Sequence, residues 1–153
     1  MAETFETKAI FDFTGPYRFL SNFHPVTVVF EGKQYPSVEH AYQAAKTLDP
    51  DERVKFQDPT LTAAGAKKLG RRVALREDWD TDTKLFVMRK LLAEKFAPGT
   101  VLGEHLMGTY PAFIAEGNWW GDTFWGICRG DGENWLGQLL MARRQELRGE
   151  GDQ

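Results

Sequence analysis

Apolar and polar residues follow two different periods along this chain. Residues 9–13 read as a short strand, and Val26-Thr27-Val28-Val29-Phe30 is β-branched and apolar. Glu31-Gly32-Lys33 then supplies a turn and Gln34-Tyr35 a return, which predicts a hairpin. From Pro36-Ser37 the spacing changes to three and four. Ser37 can accept a free N–H of a first helical turn, Val38, Ala41 and Ala45 share one face, and Glu39, Gln43 and Lys46 share another. Asp49-Pro50-Asp51 ends this helix. Shorter helices are predicted over residues 52–57 and 62–68, with Asp58-Pro59 and Gly70 as punctuation. The longest predicted helix covers about residues 80–96. Asp78, Asp80 and Asp82 crowd its positive end, and Leu85, Met88, Leu92 and Phe96 form its inward stripe. Pro98-Gly99 stops it. A helix over 101–107, a strand over 113–115 and a last helix from Asn134, with Leu136, Leu139, Leu140 and Leu147 inward, complete the pattern. The order predicts an α+β fold, mainly helical, with a small N-terminal β-hairpin or sheet.

A chain of 153 residues suits a single domain, 1–153, that hides about 70% of its extended surface without a disulfide or metal. The net charge of -3 argues against broad clamping of nucleic acid, though not against a small basic pocket for one phosphate. Cys128 has no second cysteine to pair with, which fits a reducing, cytoplasmic setting. The start of the chain lacks a signal-peptide pattern, no apolar run is long enough to cross a bilayer, and Gly149 onward reads as a frayed tail. His24, His40 and His105 lack the spacing of a zinc site, and nothing calls for a cofactor. Trp119, Trp120, Trp125 and Trp135 lie close together, as either a core patch or a stacking wall for a flat ligand.

Four groups can carry chemistry. Glu39, Gln43 and Lys46 put an acid, an amide and a base on one helix face among small or apolar neighbours; an enclosed charged pair of this kind is costly unless matched. The stretch from Glu116 to Gly126 sets two carboxylates, Glu116 and Asp122, among tryptophans and glycines, a setting for a general acid or for a plain turn. Gly130 to Gly137 runs into a helix start, where free N–H groups bind phosphate, and Gly137 leaves room for an approaching oxygen. Tyr17-Arg18-Phe19-Leu20-Ser21-Asn22-Phe23 offers stacking, base-edge hydrogen bonds and, through Arg18, a phosphate contact.

Phe19-Leu20-Ser21-Asn22-Phe23, then Pro36-Ser37-Val38-Glu39-His40 leading to Gln43 and Ala45-Lys46, resembles the N-terminal half of the YbiA-like, or NADAR, family. Trp79 before Val87-Met88-Arg89, Lys95-Phe96, Asp122-Thr123-Phe124-Trp125-Gly126 and Asn134-Trp135-Leu136-Gly137 with Leu139-Leu140-Met141 extend the resemblance over about residues 10–147. The resemblance implies hydrolysis of N-glycosidic bonds, in phosphoribosylamino-pyrimidine intermediates of riboflavin synthesis or in ADP-ribose attached to guanine in DNA. It implies Lys46, Glu39 and Asp122 as catalytic residues. Arg18, Phe19, Ser21, Asn22, Gln43, Trp79, Trp125, Gly126 and Asn134 make up the expected substrate-binding set. The expected partner is thus a nucleotide-like small molecule or an ADP-ribosylated DNA base, with no membrane. Asp122 is expected to move the proton and Glu39 to orient Lys46 or the ribose hydroxyls. Lys46 either attacks C1 or stays charged on a hydroxyl or phosphate. A competing reading is a non-catalytic ADP-ribose or nucleotide-binding module, which needs neither Lys46 nor Asp122 for chemistry. A purely structural domain leaves the enclosed Glu39 and Lys46 without a purpose.

Overall fold

The computed structural model of the protein describes residues 8–151. Its elements are β1 (Ala9–Ile10), a 3-10 turn (Gly15–Leu20), β2 (Val28–Phe30), β3 (Lys33–Tyr35), α1 (Val38–Ala45) and α2 (Pro50–Arg53), which runs into a second 3-10 turn (Val54–Gln57). Then come α3 (Ala63–Leu69), an irregular turn (Trp79–Thr83) leading into α4 (Lys84–Lys95), α5 (Val101–Met107), β4 (Phe113–Ile114), β5 (Gly117–Asn118), β6 (Ile127–Cys128) and α6 (Trp135–Gly151). This is a mainly helical α+β fold. The chain clusters into two compact units, residues 8–21 with 96–151, and Asn22–Lys95.

In the Asn22–Lys95 unit, α1 is the centre. Every residue from Val38 to Ala45 is buried, because α3, α4 and the hairpin all pack on it. The predicted polar face is therefore enclosed along with the apolar one. The hairpin pairs Val28 with Tyr35 and Phe30 with Lys33. Its two turn residues, Glu31 (φ 48°) and Gly32 (φ 80°), are both left-handed, the geometry that follows the right-handed twist of the strands. Ser37 caps α1 through the His40 N–H at 3.2 Å. His40 then pins the helix start: its Nδ1 lies 2.7 Å from the Ser37 hydroxyl and its Nε2 donates to the Leu61 carbonyl at 2.6 Å.

The helix expected from about residue 80 becomes regular only at Lys84. Thr81 breaks the turn at ψ -136°, while its hydroxyl bonds the Asp78 carbonyl at 2.6 Å, a local bond that competes with the helix ladder. The inward stripe of α4 is Val87, Met88, Leu91 and Leu92, followed by Lys95 at 2% exposure, whereas Leu85 is only half-buried.

In the other unit, β1 and β4 pair in parallel, Ala9 with Phe113 and Ile10 with Ile114. The strand expected over 9–13 is cut to two residues, and β5 and β6 form a further parallel pair that two-residue strands give no period to reveal. The longest helix is α6, with 17 residues against 12 for α4. Leu136, Leu140 and Leu147 point inward and Leu139 is half-buried. The expected tail is helical as far as Gly151; residues 152–153, and residues 1–7 where a leader was looked for, lie outside the described residues. Among the described residues no helix is long and apolar enough to cross a membrane.

Candidate active site

Lys46 stands at the C-terminal end of α1, half-buried, with its Nζ 5.7 Å from the centre of the Tyr42 ring one turn earlier. Trp79 packs on Tyr42 at 5.1 Å between centroids, so the buried indole supports the ring beneath the amine. The backbone here is held from outside the helix. Arg76 donates its N–H to the Lys46 carbonyl at 2.7 Å and grips Asp78 through Nε and Nη2 at 2.7 and 3.1 Å. Burial lowers the pKa of the Lys46 amine from its ordinary 10.5. Glu39 opposes the shift, Arg71 and Lys67 add to it, and Asp80 opposes it. An amine that gives up its proton more readily than usual is a better nucleophile near neutrality.

Glu39 is 7% exposed, and its Oε2 accepts a 2.6 Å bond from the Gln43 amide. Its backbone N–H donates to the Asn22 carbonyl at 3.0 Å, which seats Asn22 beside it. Asn22 Nδ2 faces the Met88 sulfur at 3.7 Å. Two amide oxygens of this cluster, Asn22 Oδ1 and Gln43 Oε1, are buried with no hydrogen-bond partner among the described residues. A buried acceptor without a donor is costly, and such groups gather where a ligand supplies the donor. Gly70 packs directly on Gln43: a Cβ there would collide with Gln43 Oε1. The structure thus brings together Asn22, Glu39, Gln43, Lys46 and Trp79 of the expected set.

The remaining expected residues belong to the other unit. Arg18 is exposed on the 3-10 turn, with Nη1 3.4 Å from the Ser21 hydroxyl. Phe19 meets Phe96 and His105 edge-on, at 6.4 and 5.4 Å, and helps line a cavity of about 500 Å³ with Tyr17, Glu104, His105 and Tyr110. Asp122 Oδ1 accepts the backbone N–H groups of Phe124 and Trp125 at 3.1 and 2.9 Å, while Asn118 bonds the Asp122 N–H and carbonyl at 3.0 and 2.8 Å. These bonds fix the loop that presents Trp125, half-buried and perpendicular to Phe124. Gly126 has no room for a side chain against the Glu116 carbonyl. Buried Asn134, at φ 54°, braces two segments, accepting from Glu116 N–H at 3.1 Å and donating to the Ile114 carbonyl at 3.0 Å. The oxygen that requires Gly137 is also local: a Cβ would strike the Ile114 carbonyl. The clustered tryptophans are no core patch. Trp119 is 81% exposed, Trp120 is exposed, and Trp125 and Trp135 are half-buried.

Comparison with known proteins identifies the family. A family model described as the NADAR domain matches residues 10–148. The chain belongs to the NADAR family. It is 35% identical over 133 residues to the N-glycosidase YbiA of Escherichia coli (strain K12), covering 86% of this chain and 82% of that protein. It is 38% identical over 135 residues to the riboflavin biosynthesis protein VVA0006 of Vibrio vulnificus (strain YJ016), covering 84% of this chain but 35% of that longer protein. The NMR structure of E. coli YbiA superposes with a TM-score of 0.81 at 34% identity, over 95% of this chain and 88% of that one.

Sequence reasoning passed over four contributors to the NADAR chain's cluster. Tyr42 was visible only as an apolar neighbour, although it lies four residues before Lys46, the spacing that stacks side chains on a helix. Gly70 looked like punctuation rather than a close-packing position, and Lys67 and Arg71 carried no sign of being close to Lys46. Among the described residues no group of three or more His, Cys, Asp or Glu is placed to hold a metal ion.

Proposed function

We propose that this enzyme, a hydrolase of N-glycosyl bonds, cuts the bond between C1 of a phosphorylated ribose and a base or amine, with Lys46 as the nucleophile. The observation that carries the reading is the Lys46 amine itself, half-buried beside Glu39 and under the influence of two further cations. Its attack on C1 breaks the C1–N bond, and the departing nitrogen takes up a proton. The lysyl adduct opens to an iminium as the ring oxygen is protonated. Water then adds to C1, and the amine leaves to give free sugar and regenerated Lys46. Glu39, held by Gln43, is placed to orient the amine or the ribose hydroxyls. The unpartnered oxygens of Asn22 and Gln43 suit hydroxyl or N–H donors of a ribosyl compound.

Two substrates fit this chemistry, ADP-ribosylated guanine in a DNA oligomer and a phosphoribosylamino-pyrimidine. Product release from each, followed by chromatography with the native chain and Lys46→Ala, tests the reading. Release that vanishes in the variant supports it, and the substrate that is cut names the class. Binding without release from either would instead favour a nucleotide-binding module.

A further inference from the structure

Helix α1 ends at Ala45, and its last carbonyls have no partner further along the helix ladder. Those of Gln43 and Ala44 accept the Lys46 and Thr47 N–H groups, both at 3.2 Å, in a tightened last turn. The next two, Ala45 and Lys46, are met by a single residue from another stretch of chain. Arg76 gives its backbone N–H to the Lys46 carbonyl at 2.7 Å, and its Nη1 lies 3.5 Å from the Ala45 oxygen. A cation at this end of a helix also offsets the dipole. The same guanidinium holds both oxygens of Asp78 through Nε and Nη2. An ion pair between near neighbours at a surface usually contributes little. This one gains from its position, because the Arg76 side chain is only 18% exposed and Asp78 leads directly into Trp79. Trp79 is buried and packs on Tyr42, whose ring centre lies 5.7 Å from the Lys46 Nζ. The turn that starts at Trp79 breaks at Thr81, so a regular helix ladder does not fix it. Arg76 closes a ring of contacts that leaves Lys46 at its carbonyl and returns, through Asp78, Trp79 and Tyr42, to its amine.

Resting on the reading of Lys46 as the nucleophile, we propose that Arg76 is a positioning residue, which keeps the Lys46 amine in its half-buried place by closing the end of α1 and tethering the turn that carries Trp79. In this role it touches no substrate. Without the guanidinium, Asp78 is released, the Trp79 turn loses its tether and the amine meets more water. Burial is the largest influence on that amine and lowers its pKa; Glu39 on α1, Lys67 of α3, Arg71 just after α3 and Asp80 in the turn also act on it. Loosening the turn therefore raises the pKa through solvation, and withdrawal of Asp80 offsets only part of that rise.

The test compares Arg76→Met, Arg76→Lys and Asp78→Asn with the native chain, each measured well below its own melting temperature. The reaction of the Lys46 amine with acetic anhydride is followed against pH by mass spectrometry of its peptide, which needs no substrate. KM and kcat are measured on whichever of the two candidate N-glycosides the native chain cuts. Arg76→Met is expected to move the midpoint of Lys46 labelling to higher pH and to lower kcat about tenfold or more, while KM changes little. Asp78→Asn keeps one acceptor for the guanidinium and should move both readouts the same way by less. Arg76→Lys should recover part of each. A labelling midpoint that stays native in both Arg76→Met and Asp78→Asn overturns the proposal; if Lys46→Ala is then inactive, the nucleophile reading still stands. A midpoint that moves as expected while Lys46→Arg still turns over keeps Arg76 as the holder of the amine and removes the nucleophile reading.

Discussion

Glu39 Oε2 and Gln43 Nε2 lie 2.6 Å apart, one turn from each other on a helix buried on every side. The bond fixes both side chains in a place where a lone carboxylate is costly. It also turns the other end of the Gln43 amide, Oε1, toward Gly70 with no donor of its own. The pair thus holds an acid in a fixed orientation near Lys46.

The charge of Glu39 raises the Lys46 pKa against the lowering effect of burial. Glu39→Gln removes that support and leaves burial, Arg71 and Lys67 unopposed except by Asp80. The Lys46 pKa falls further, so the acid limb of kcat/KM moves to lower pH even as the maximum rate drops. A pH profile of kcat/KM, which reads the free enzyme, checks this. A limb that stays in place or moves upward contradicts the assignment of that limb to Lys46.

Gly70→Ala places a methyl group where the Gln43 amide sits. Crowding of a packed interior costs about 1–3 kcal/mol, and the flexible Gln43 side chain yields first. The expected result is a modest fall in melting temperature with a larger loss of turnover, since Gln43 moves off Glu39. Thermal denaturation and steady-state rates on the same sample decide it; unchanged turnover would mean that the Glu39–Gln43 bond is not needed.

Much of this was legible in the sequence, and the gaps have physical causes. The hairpin was readable because Glu31-Gly32 suits a two-residue turn, and α1 because Ser37 caps it and its small residues repeat at helical spacing. The regular start of α4 was not, since Thr81 bonds Asp78 locally in a stretch whose aspartates resemble an ordinary helix N-terminus. Strands of two residues, such as β5 and β6, have no alternation to detect. In the site, Glu39, Gln43 and Lys46 followed from one helical face. Gly70, Lys67 and Arg71 come from a distant stretch of chain, and only packing brings Gly70 against Gln43.

Asn134 combines a left-handed backbone with two side-chain bonds to backbone groups. Asn134→Gly keeps the backbone freedom but removes the side-chain bonds to the Glu116 N–H and the Ile114 carbonyl. Asn134→Ala loses both and is expected to be the less stable, each variant lying below the native chain by about 1–3 kcal/mol or more. Urea unfolding of the three proteins measures the order. Equal stability of the alanine and native chains would deny the brace.

Asp122→Asn retains an oxygen for the Phe124 and Trp125 N–H groups, whereas Asp122→Ala removes it. If the carboxylate moves a proton, the asparagine variant keeps its melting temperature and loses about 10²–10⁴-fold in kcat. The alanine variant loses loop order as well, visible as faster amide exchange at Phe124 and Trp125. Full activity in the asparagine variant would confine Asp122 to holding the loop.

The most direct measurement of the central claim is borohydride trapping during turnover, followed by mass spectrometry of the Lys46 peptide. A reduced sugar adduct on Lys46, absent without substrate and absent from Lys46→Arg, is the result predicted by attack of the amine on C1. Turnover with no adduct on any lysine would contradict it and leave Lys46 as a charge that holds the substrate in place.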